Sequence, residues 1–527
     1  MRIAILCNGR DVAVWQRRAL DAIRGKHELL LLVCKPARPG KRRAAHALYY
    51  ALNLVTIRNR LTRTTAFPVP ADAIAARLDF EPTYEGTWAI LPSAVLTWIG
   101  EQRVDAIVKF ELGLLRIPDT ADLPVPILSY HHGDPRTHRG RPAGFYEVLE
   151  GTRFVGQIVQ VLSNRLDAGT VLAFAQSRVQ SHSYRRTLLD AYALSPWLLG
   201  QALDALQHRR TLPLPPTGRN NRLPGNLAVI RFAAACSWRL ARRLAYGAFV
   251  EKRWNVATID VDPKSSPLDM IARAEAARTS WHVPALLPGY AFYADGFFHT
   301  GSDDILVEAL DKASGKGELV RIRGGRQQRI AGFGGHMSYP LTVHEEGRDY
   351  LVPETAGWCP PSVFEIDGDA VRLVSRLDID EPAILDPTLY RHDGRSYLFG
   401  NRPADGASVL HLWSAPSLFG RFEPHPASPV RVSARGSRMA GEILSGPGGT
   451  YRLGQDFRDA YGDGILAFRI EELSKRTYRE AEAGEAAFTS VRGPHTLGVR
   501  GDRLLFDWYV ERRTPLAGVR RILARLG

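Results

Sequence analysis

Cysteine is scarce: four residues in 527 (Cys7, Cys34, Cys236 and Cys359), far apart and in no CxxC or Cys/His ligand spacing. That excludes a disulfide framework and a structural zinc site, and it favours a reducing compartment. Long apolar runs are missing as well. The longest near the start, residues 29–33, is far short of the roughly 20 residues that span a bilayer. The opening MRIAILCNGRD is too short an apolar run for a signal peptide and reads as a buried strand, so a cytoplasmic location is expected. Acidic residues are short in one half only. Residues 1–250 hold 34 Lys+Arg against 18 Asp+Glu, and 251–527 hold 35 against 37. The basic half suits an anionic ligand such as a nucleotide sugar, a polyglutamated folate or a phospholipid surface; the other reading is a generally Arg-rich surface.

What is present is enough apolar residue, 45%, for two or three domains. Over residues 1–202 apolar runs alternate with helical patterns: strands are predicted at 2–6, 27–33, 104–109 (VDAIVK) and 125–130 (VPILSY), with a helix to residue 23. That alternation predicts a mostly parallel, Rossmann-like α/β sheet, with ligands beyond the carboxyl ends of its strands. Residues 203–254 read as a basic linker, PLPPTGRNNRLPGN, and a connecting helix over 226–249. Arg231, Arg239, Arg242 and Arg243 share one arc of that helix. Either it packs between domains or it lies on an anionic membrane.

From residue 255 the pattern becomes β and repeats. Five turn-plus-strand units recur, SDDILVEAL, EEGRDYLVPET, HDGRSYLFGN, PGGTYRLGQD and RGDRLLFDWY, with Leu306, Tyr350, Tyr397, Tyr451 and Leu504 in equivalent places. A hairpin about every 50 residues predicts an all-β five-bladed propeller over 255–515, followed by a basic tail, 516–527.

Chemistry concentrates in SYHHGDPRTHRGRPAGFYEVLEG, residues 129–151, and the later LDAG. This composite resembles the formyltransferases that use 10-formyltetrahydrofolate, whose pattern is Asn-x-His, a Pro-containing loop, Arg-Gly and a later Asp-x-Gly. The resemblance implies that His131 and Asp167, 36 residues apart, are catalytic. Arg139 and Gly140 match the loop, and Gly133 and Asp134 complete the cofactor-binding set. Ser129 stands where the family usually has asparagine, the residue that polarises the formyl carbonyl, so one donor is altered there. His132, Asp134 and His138 offer metal-ligand atoms, but the formyltransferase pattern already accounts for them and no metal is expected.

In a propeller, polar residues on the inner strands converge on one pocket. The candidates are Asp295, His336, Tyr339, Asp386, Arg438, Glu442 and His495, with Glu308, Glu354, Gln455 and Asp456 ending the following strands. Carboxyl groups from different blades are what glycoside chemistry requires. The segments YADGFF, HMSYP, VPET, DPTLY, SRMAGE, YRLGQD, AYGD and PHTL are similar to arabinanase- and xylosidase-type five-bladed glycosidases. They look closer still to the amino-terminal domain of plant glucosamine inositolphosphorylceramide transferases. The glycosidase resemblance implies Asp295 as base and Asp386 as pKa tuner, with the general acid either Glu354 or Glu442.

Together these readings predict an N-formyltransferase acting with 10-formyltetrahydrofolate on an amino sugar, carried as a nucleotide sugar or in a glycan, with a glycan-binding or glycan-processing propeller. The alternatives are a glycosyltransferase or hydrolase propeller on a degenerate formyltransferase scaffold, and a non-catalytic carbohydrate-binding protein. Nucleic acid is not an expected partner, because a propeller stands where a tRNA-binding barrel would be.

Overall fold

The computed structural model describes residues 1–8, 11–34, 43–57, 59–67, 74–118, 123, 125–332, 334–355, 357–446, 448–457 and 461–526. Pro447 and Ala460, in the PGGTYRLGQD and AYGD segments, lie outside the described residues. The chain forms two compact units, Met1–Arg242 and Arg243–Gly527.

The first unit is α/β. Its main sheet has seven strands, β1 (Arg2–Cys7), β2 (Glu28–Cys34), β3 (Arg77–Phe80), β4 (Ala106–Lys109), β5 (Ile127–His131), β6 (Phe154–Val161) and β7 (Thr170–Arg178). They pair in the order β7-β6-β5-β4-β1-β2-β3, parallel from β5 to β3 and antiparallel at β6 and β7. After its first residue each of IAILC and LLLLVC is buried, which is why these strands read as unbroken apolar runs. One face packs Ala4, Leu6, Leu30, Leu32, Ile107 and Ile127 against Val95 and Ile99 of helix α2 (Ser93–Glu101). Helix α1 (Val14–Ile23) and the long α3 (Tyr184–Gln207) pack together, and α3 also covers β6 and β7. The Ser183 hydroxyl accepts from the Arg186 amide and caps the start of α3. Residue 202, where the first domain was expected to end, falls inside this helix. Strand order reverses between β1 and β4, and such a reversal opens a crevice at the carboxyl ends of the strands.

Helix α4 (Asn226–Phe249) has the expected bounds. Its Phe232 ring stacks on Phe145 at 4.5 Å. Arg239 donates to the carbonyls of Val148 and Leu149, whereas Arg231, Arg242 and Arg243 are exposed.

The second unit is built of strands in small antiparallel sheets. Strand β8 (Val250–Asp260) is followed by four tandem groups. The first is β9 (Tyr290–Phe298), β10 (Ile305–Asp311), β11 (Gly317–Arg323) and β12 (Arg326–Ile330). The second is β13 (Ser338–Glu345), β14 (Arg348–Glu354), β15 (Ser362–Asp367) and β16 (Ala370–Arg376). The third is β17 (Leu385–His392), β18 (Arg395–Asn401), β19 (Val409–Ala415) and β20 (Glu423–Pro424). The fourth is β21 (Arg435–Met439), β22 (Gly449–Asp456), β23 (Ile465–Leu473) and β24 (Tyr478–Ala486). The last pair, β25 (Leu497–Arg500) and β26 (Arg503–Arg513), shares a sheet with β8. All five predicted hairpins are therefore present, but the strands fall into separate small sheets and, among the described residues, no closed sheet joins them. Helix α5 (Pro267–Ala276) packs near β24, and residues expected as a basic tail form helix α6 (Ala517–Leu526).

Candidate functional site

In the first unit, His131 ends β5 and Asp167 lies in the loop between β6 and β7. The chain brings them together: His131 Nδ1 lies 3.3 Å from Asp167 Oδ1, and both side chains are largely buried. Asp167 adopts a φ of 46°, which an Asp tolerates in a tight turn. Two anchors hold it there. The Gly140 amide donates to Asp167 Oδ2 at 2.8 Å, and the Gly169 amide donates to Gln160 Oε1 at 2.9 Å. A Cβ on Gly169 would sit 1.9 Å from the Val161 carbonyl oxygen, so the turn needs glycine. With Asp167 on Nδ1, Nε2 of His131 is the ring atom left to exchange protons; it meets the His138 carbonyl at 3.4 Å. Gly133 makes room for that edge, since a Cβ there would lie 2.6 Å from Nε2.

The other residues of the motif serve the loop itself. Asp134 pairs with Arg136 at 2.7 Å and accepts from its amide at 2.9 Å. Arg139 donates to the Gly218 carbonyl at 2.8 Å and reaches the Leu166 carbonyl at 3.5 Å, tying the loop that carries Asp167. Ser129 is buried and, among the described residues, its hydroxyl reaches only the Tyr130 carbonyl, at 3.4 Å. His132 takes no part with His131. Alternation along β5 turns it to the opposite face, where Nε2 meets Ser195 Oγ at 2.9 Å and burial pushes its pKa down to about 3. The two adjacent histidines therefore cannot share a metal.

Lys109, the last residue of β4, was not singled out by sequence. It pairs in register with Ser129. Burial lowers the pKa of its ammonium, against the opposing pull of Glu111 and Asp167. Reading VDAIVK as a strand gave no hint, because the register partner lies on another strand.

In the second unit, Asp295, Glu308, Glu354, Asp386, Arg438, Gln455 and His495 come together. The repeat explains how. Ala294 faces Glu308, Ser338 faces Glu354 and Leu385 faces Asn401 across their hairpins. Each first strand bulges immediately after, placing Asp295, Tyr339 and Asp386 at φ of 47°, 50° and 47°. A bulge repeated at one place re-aims side chains from successive hairpins toward a common region.

Asp386 is gripped by Arg438, with Nη2 at 3.0 Å, and by Gln455 Nε2 at 3.1 Å, while its amide donates to Glu354 Oε2 at 2.8 Å. Arg438 reaches Glu354 at 3.7 Å and lies over the Tyr461 ring. On the other side, His495 bridges two carboxyl groups: Nε2 is 3.3 Å from Asp295, and Nδ1 contacts Asp507. Thr496 donates to Asp295 at 2.8 Å. Burial and then crowding by its neighbours drive Glu308 well above the usual carboxylate range, with Asp295 and Glu354 the nearest negative groups. Burial also raises Asp295, opposed by His495. Glu354 is pushed up to about 8, chiefly by burial and then by Asp386. Burial alone would lower His495, yet Asp507 and Asp295 hold it above its ordinary value. The group therefore sets three carboxyl groups raised by burial, Asp295, Glu308 and Glu354, beside Arg438 and His495.

Three expected members stand apart. Tyr339 is wholly buried and bonds Thr388 and the Gly441 backbone, so it frames the hairpins. Asp456 faces Arg435 at 3.8 Å. Glu442 lies nearest Arg500, and burial lifts it to about 7. His336 touches the group at its margin, 3.8 Å from Glu308. Sequence reasoning missed Asp507, Tyr461 and Trp254, whose ring lies 4.3 Å from that of His495. Asp507 had no clear signal, since it lies three residues beyond Leu504, whereas Glu354 and Gln455 lie four beyond Tyr350 and Tyr451. Among the described residues, Asp295, His495 and Asp507 are the one group whose ligand atoms, within 4.8 Å of one another, could hold a metal ion.

Comparison with known proteins adds two findings. A family model described as glucosamine inositolphosphorylceramide transferase 1, N-terminal, matches residues 332–504. Glucosamine inositolphosphorylceramide transferase 1 of Arabidopsis thaliana is 29% identical over 172 residues, 31% of this chain and 22% of the relative. The Oryza sativa subsp. japonica protein of the same name is 25% identical over 264 residues, 44% of this chain and 35% of the relative. The chain thus spans about a fifth to a third of the length of the curated relatives it matches. Among solved structures, an N-formyltransferase from Helicobacter canadensis, in complex with folinic acid and dTDP-3-aminofucose, is 10% identical with a TM-score of 0.29. The match covers 44% of this chain and 79% of that one. A glycinamide ribonucleotide transformylase from Symbiobacterium toebii is 18% identical with a TM-score of 0.26, covering 40% and 92%. The chain is therefore similar in sequence, over part of its second unit, to glucosamine inositolphosphorylceramide transferase 1, and the solved structures it is similar to are formyltransferases.

Proposed function

We propose that the chain is an N-formyltransferase that moves the formyl group of 10-formyltetrahydrofolate to the amine of an amino sugar, in the cytoplasm, and that its second unit is a five-bladed propeller that binds the glycan. The observation that carries this reading is the His131–Asp167 pair, 3.3 Å apart at the carboxyl end of a parallel sheet, with Gly140 of the Arg-Gly loop bonded to Asp167. Amine attack on the formyl carbon needs a proton taken from nitrogen and one delivered to the departing folate nitrogen. A histidine whose tautomer is fixed by a carboxylate serves both steps. The propeller reading is supported by five tandem hairpins whose first strands lie against one another in order, β9 on β13, β13 on β17, β17 on β21 and β25 on β9. An amino-sugar acceptor is supported by the match to a transferase named for glucosamine. The test is incubation with 10-formyltetrahydrofolate and a panel of nucleotide-linked amino sugars: tetrahydrofolate is released with at least one acceptor. Absence of release with every acceptor, together with no folate binding by calorimetry, overturns the reading.

A second reading gives the propeller its own chemistry on glycosidic bonds. Glu354, lifted to about 8 beside Asp386, favours it, because a carboxylic acid still protonated at neutral pH is what leaving-group protonation requires. Glycan cleavage or transfer abolished by Asp386→Asn, with formyl transfer intact, supports it. Unchanged glycan after long incubation excludes it.

A further inference from the structure

Ser129 leaves the formyl-transfer site short of a donor. The step creates negative charge on the formyl oxygen, and a site that carries it out aims fixed donors at that oxygen. Ser129 has a single short hydroxyl, whose one hydrogen bond among the described residues is a long one to the Tyr130 carbonyl at 3.4 Å. The neighbouring strand holds a longer and stronger donor.

Lys109 and Ser129 are register partners in the parallel pair β4–β5, so their side chains leave the same face of the sheet. His131 is two residues beyond Ser129 and shares that face. Along the same face, Ile107 and Ile127 belong to the apolar core, so Lys109, Ser129 and His131 form its polar carboxyl-end margin. Lys109 also stands beside the point where strand order reverses, since β4 neighbours both β1 and β5. No described side chain lies within ion-pair distance of its ammonium. Glu111, the nearest acidic neighbour in sequence, instead accepts from the Asn8 amide at 3.1 Å.

We infer that Lys109 is a catalytic residue of this site, its ammonium donating to the formyl oxygen in place of the missing asparagine amide. The inference rests on the formyl-transfer reading above. The acceptor nitrogen attacks the formyl carbon and forms the new C–N bond, and the carbonyl electron pair moves onto oxygen beside the Lys109 ammonium. The attacking nitrogen loses its proton to His131. Collapse restores the carbonyl and breaks the bond to the folate nitrogen, which takes a proton from His131. Lys109 keeps its protons throughout and donates only hydrogen bonds. Its partly desolvated setting suits that part, because a charge in low dielectric acts more strongly on a developing oxyanion.

The test is a double-mutant cycle on the full chain with Lys109→Met and Ser129→Asn, following tetrahydrofolate release with a nucleotide-linked amino sugar. Lys109→Met lowers kcat by roughly 10²–10³, the loss typical of one oxyanion donor, and leaves the folate KM within about threefold, because the contact forms in the transition state. In the Ser129→Asn background the same change costs less than about tenfold, since the amide again supplies the donor. Thermal unfolding of each variant shows that it is folded, and Lys109→Gln replaces Lys109→Met if that variant unfolds. Turnover by the natural chain with Lys109→Met unimpaired, or with equal losses in both backgrounds, overturns the assignment and leaves formyl transfer standing. No turnover by the natural chain overturns formyl transfer itself, and Lys109 with it.

Discussion

Nδ1 of His131 lies 3.3 Å from Oδ1 of Asp167, across 36 residues of sequence, and the other oxygen of Asp167 accepts from the Gly140 amide. One carboxylate thus orients the imidazole and fastens the loop that closes over it. Asp167→Asn keeps the shape, but the Gly140 amide holds the asparagine oxygen and turns its NH2 toward Nδ1, so the wrong tautomer is favoured. The expected loss in kcat is roughly 10³–10⁴ with little change in unfolding temperature. Steady-state kinetics with calorimetric unfolding checks both parts.

The turn bearing Asp167 has its own sensitive point. A Cβ on Gly169 meets the Val161 carbonyl oxygen at 1.9 Å, and that backbone has little room to yield. Gly169→Ala is expected to cost about 1–3 kcal/mol and to lower formyl transfer without touching any reacting group. Ala168→Gly, one residue earlier, serves as the control that retains activity.

Arg438 in the second unit holds Asp386 and stands 3.7 Å from Glu354. Arg438→Met leaves two buried carboxyl groups without their cation, a loss of about 3–5 kcal/mol. Denaturant unfolding measures it. The double variant Arg438→Met with Asp386→Leu recovers part of that loss, because it removes the more closely held of the two carboxyl groups and leaves only Glu354 without its cation.

Stability falls as pH rises. Glu442 titrates near 7 and Glu354 near 8 in the folded chain, both raised chiefly by burial. A raised carboxyl pKa means that the folded chain binds the proton more tightly than the unfolded one. Its stabilising effect is fully present below the unfolded value, about 4.3, and is lost as pH climbs through 7 to 8. Thermal melts between pH 5 and 9 should show a declining Tm. Glu442→Gln, which cannot ionise, flattens the part of that decline below about pH 7 and leaves the part that follows Glu354.

The sequence carried the parallel strands clearly, since IAIL and LLLLV are buried on both faces and leave an unbroken apolar signal. It also carried His131 and Asp167, because their interval and the glycines around them are local patterns. The hairpins of the second unit were legible from Tyr350, Tyr397 and Tyr451, although the separate sheets they build were not. Lys109 was hidden, because its meaning comes from a register partner on another strand. Glu442 looked equivalent to Glu354 on paper. Only the fold shows that one lies by Arg500 and the other against Asp386.

The most direct measurement is a single turnover with 10-formyltetrahydrofolate carrying a labelled formyl carbon, following that carbon by NMR in the natural chain and in Asp167→Asn. The label should appear as a formamide on the amino sugar with the natural chain and stay on folate, or appear at least a thousandfold more slowly, with the variant. Label that never leaves folate with the natural chain, or that transfers equally well with Asp167→Asn, contradicts the account.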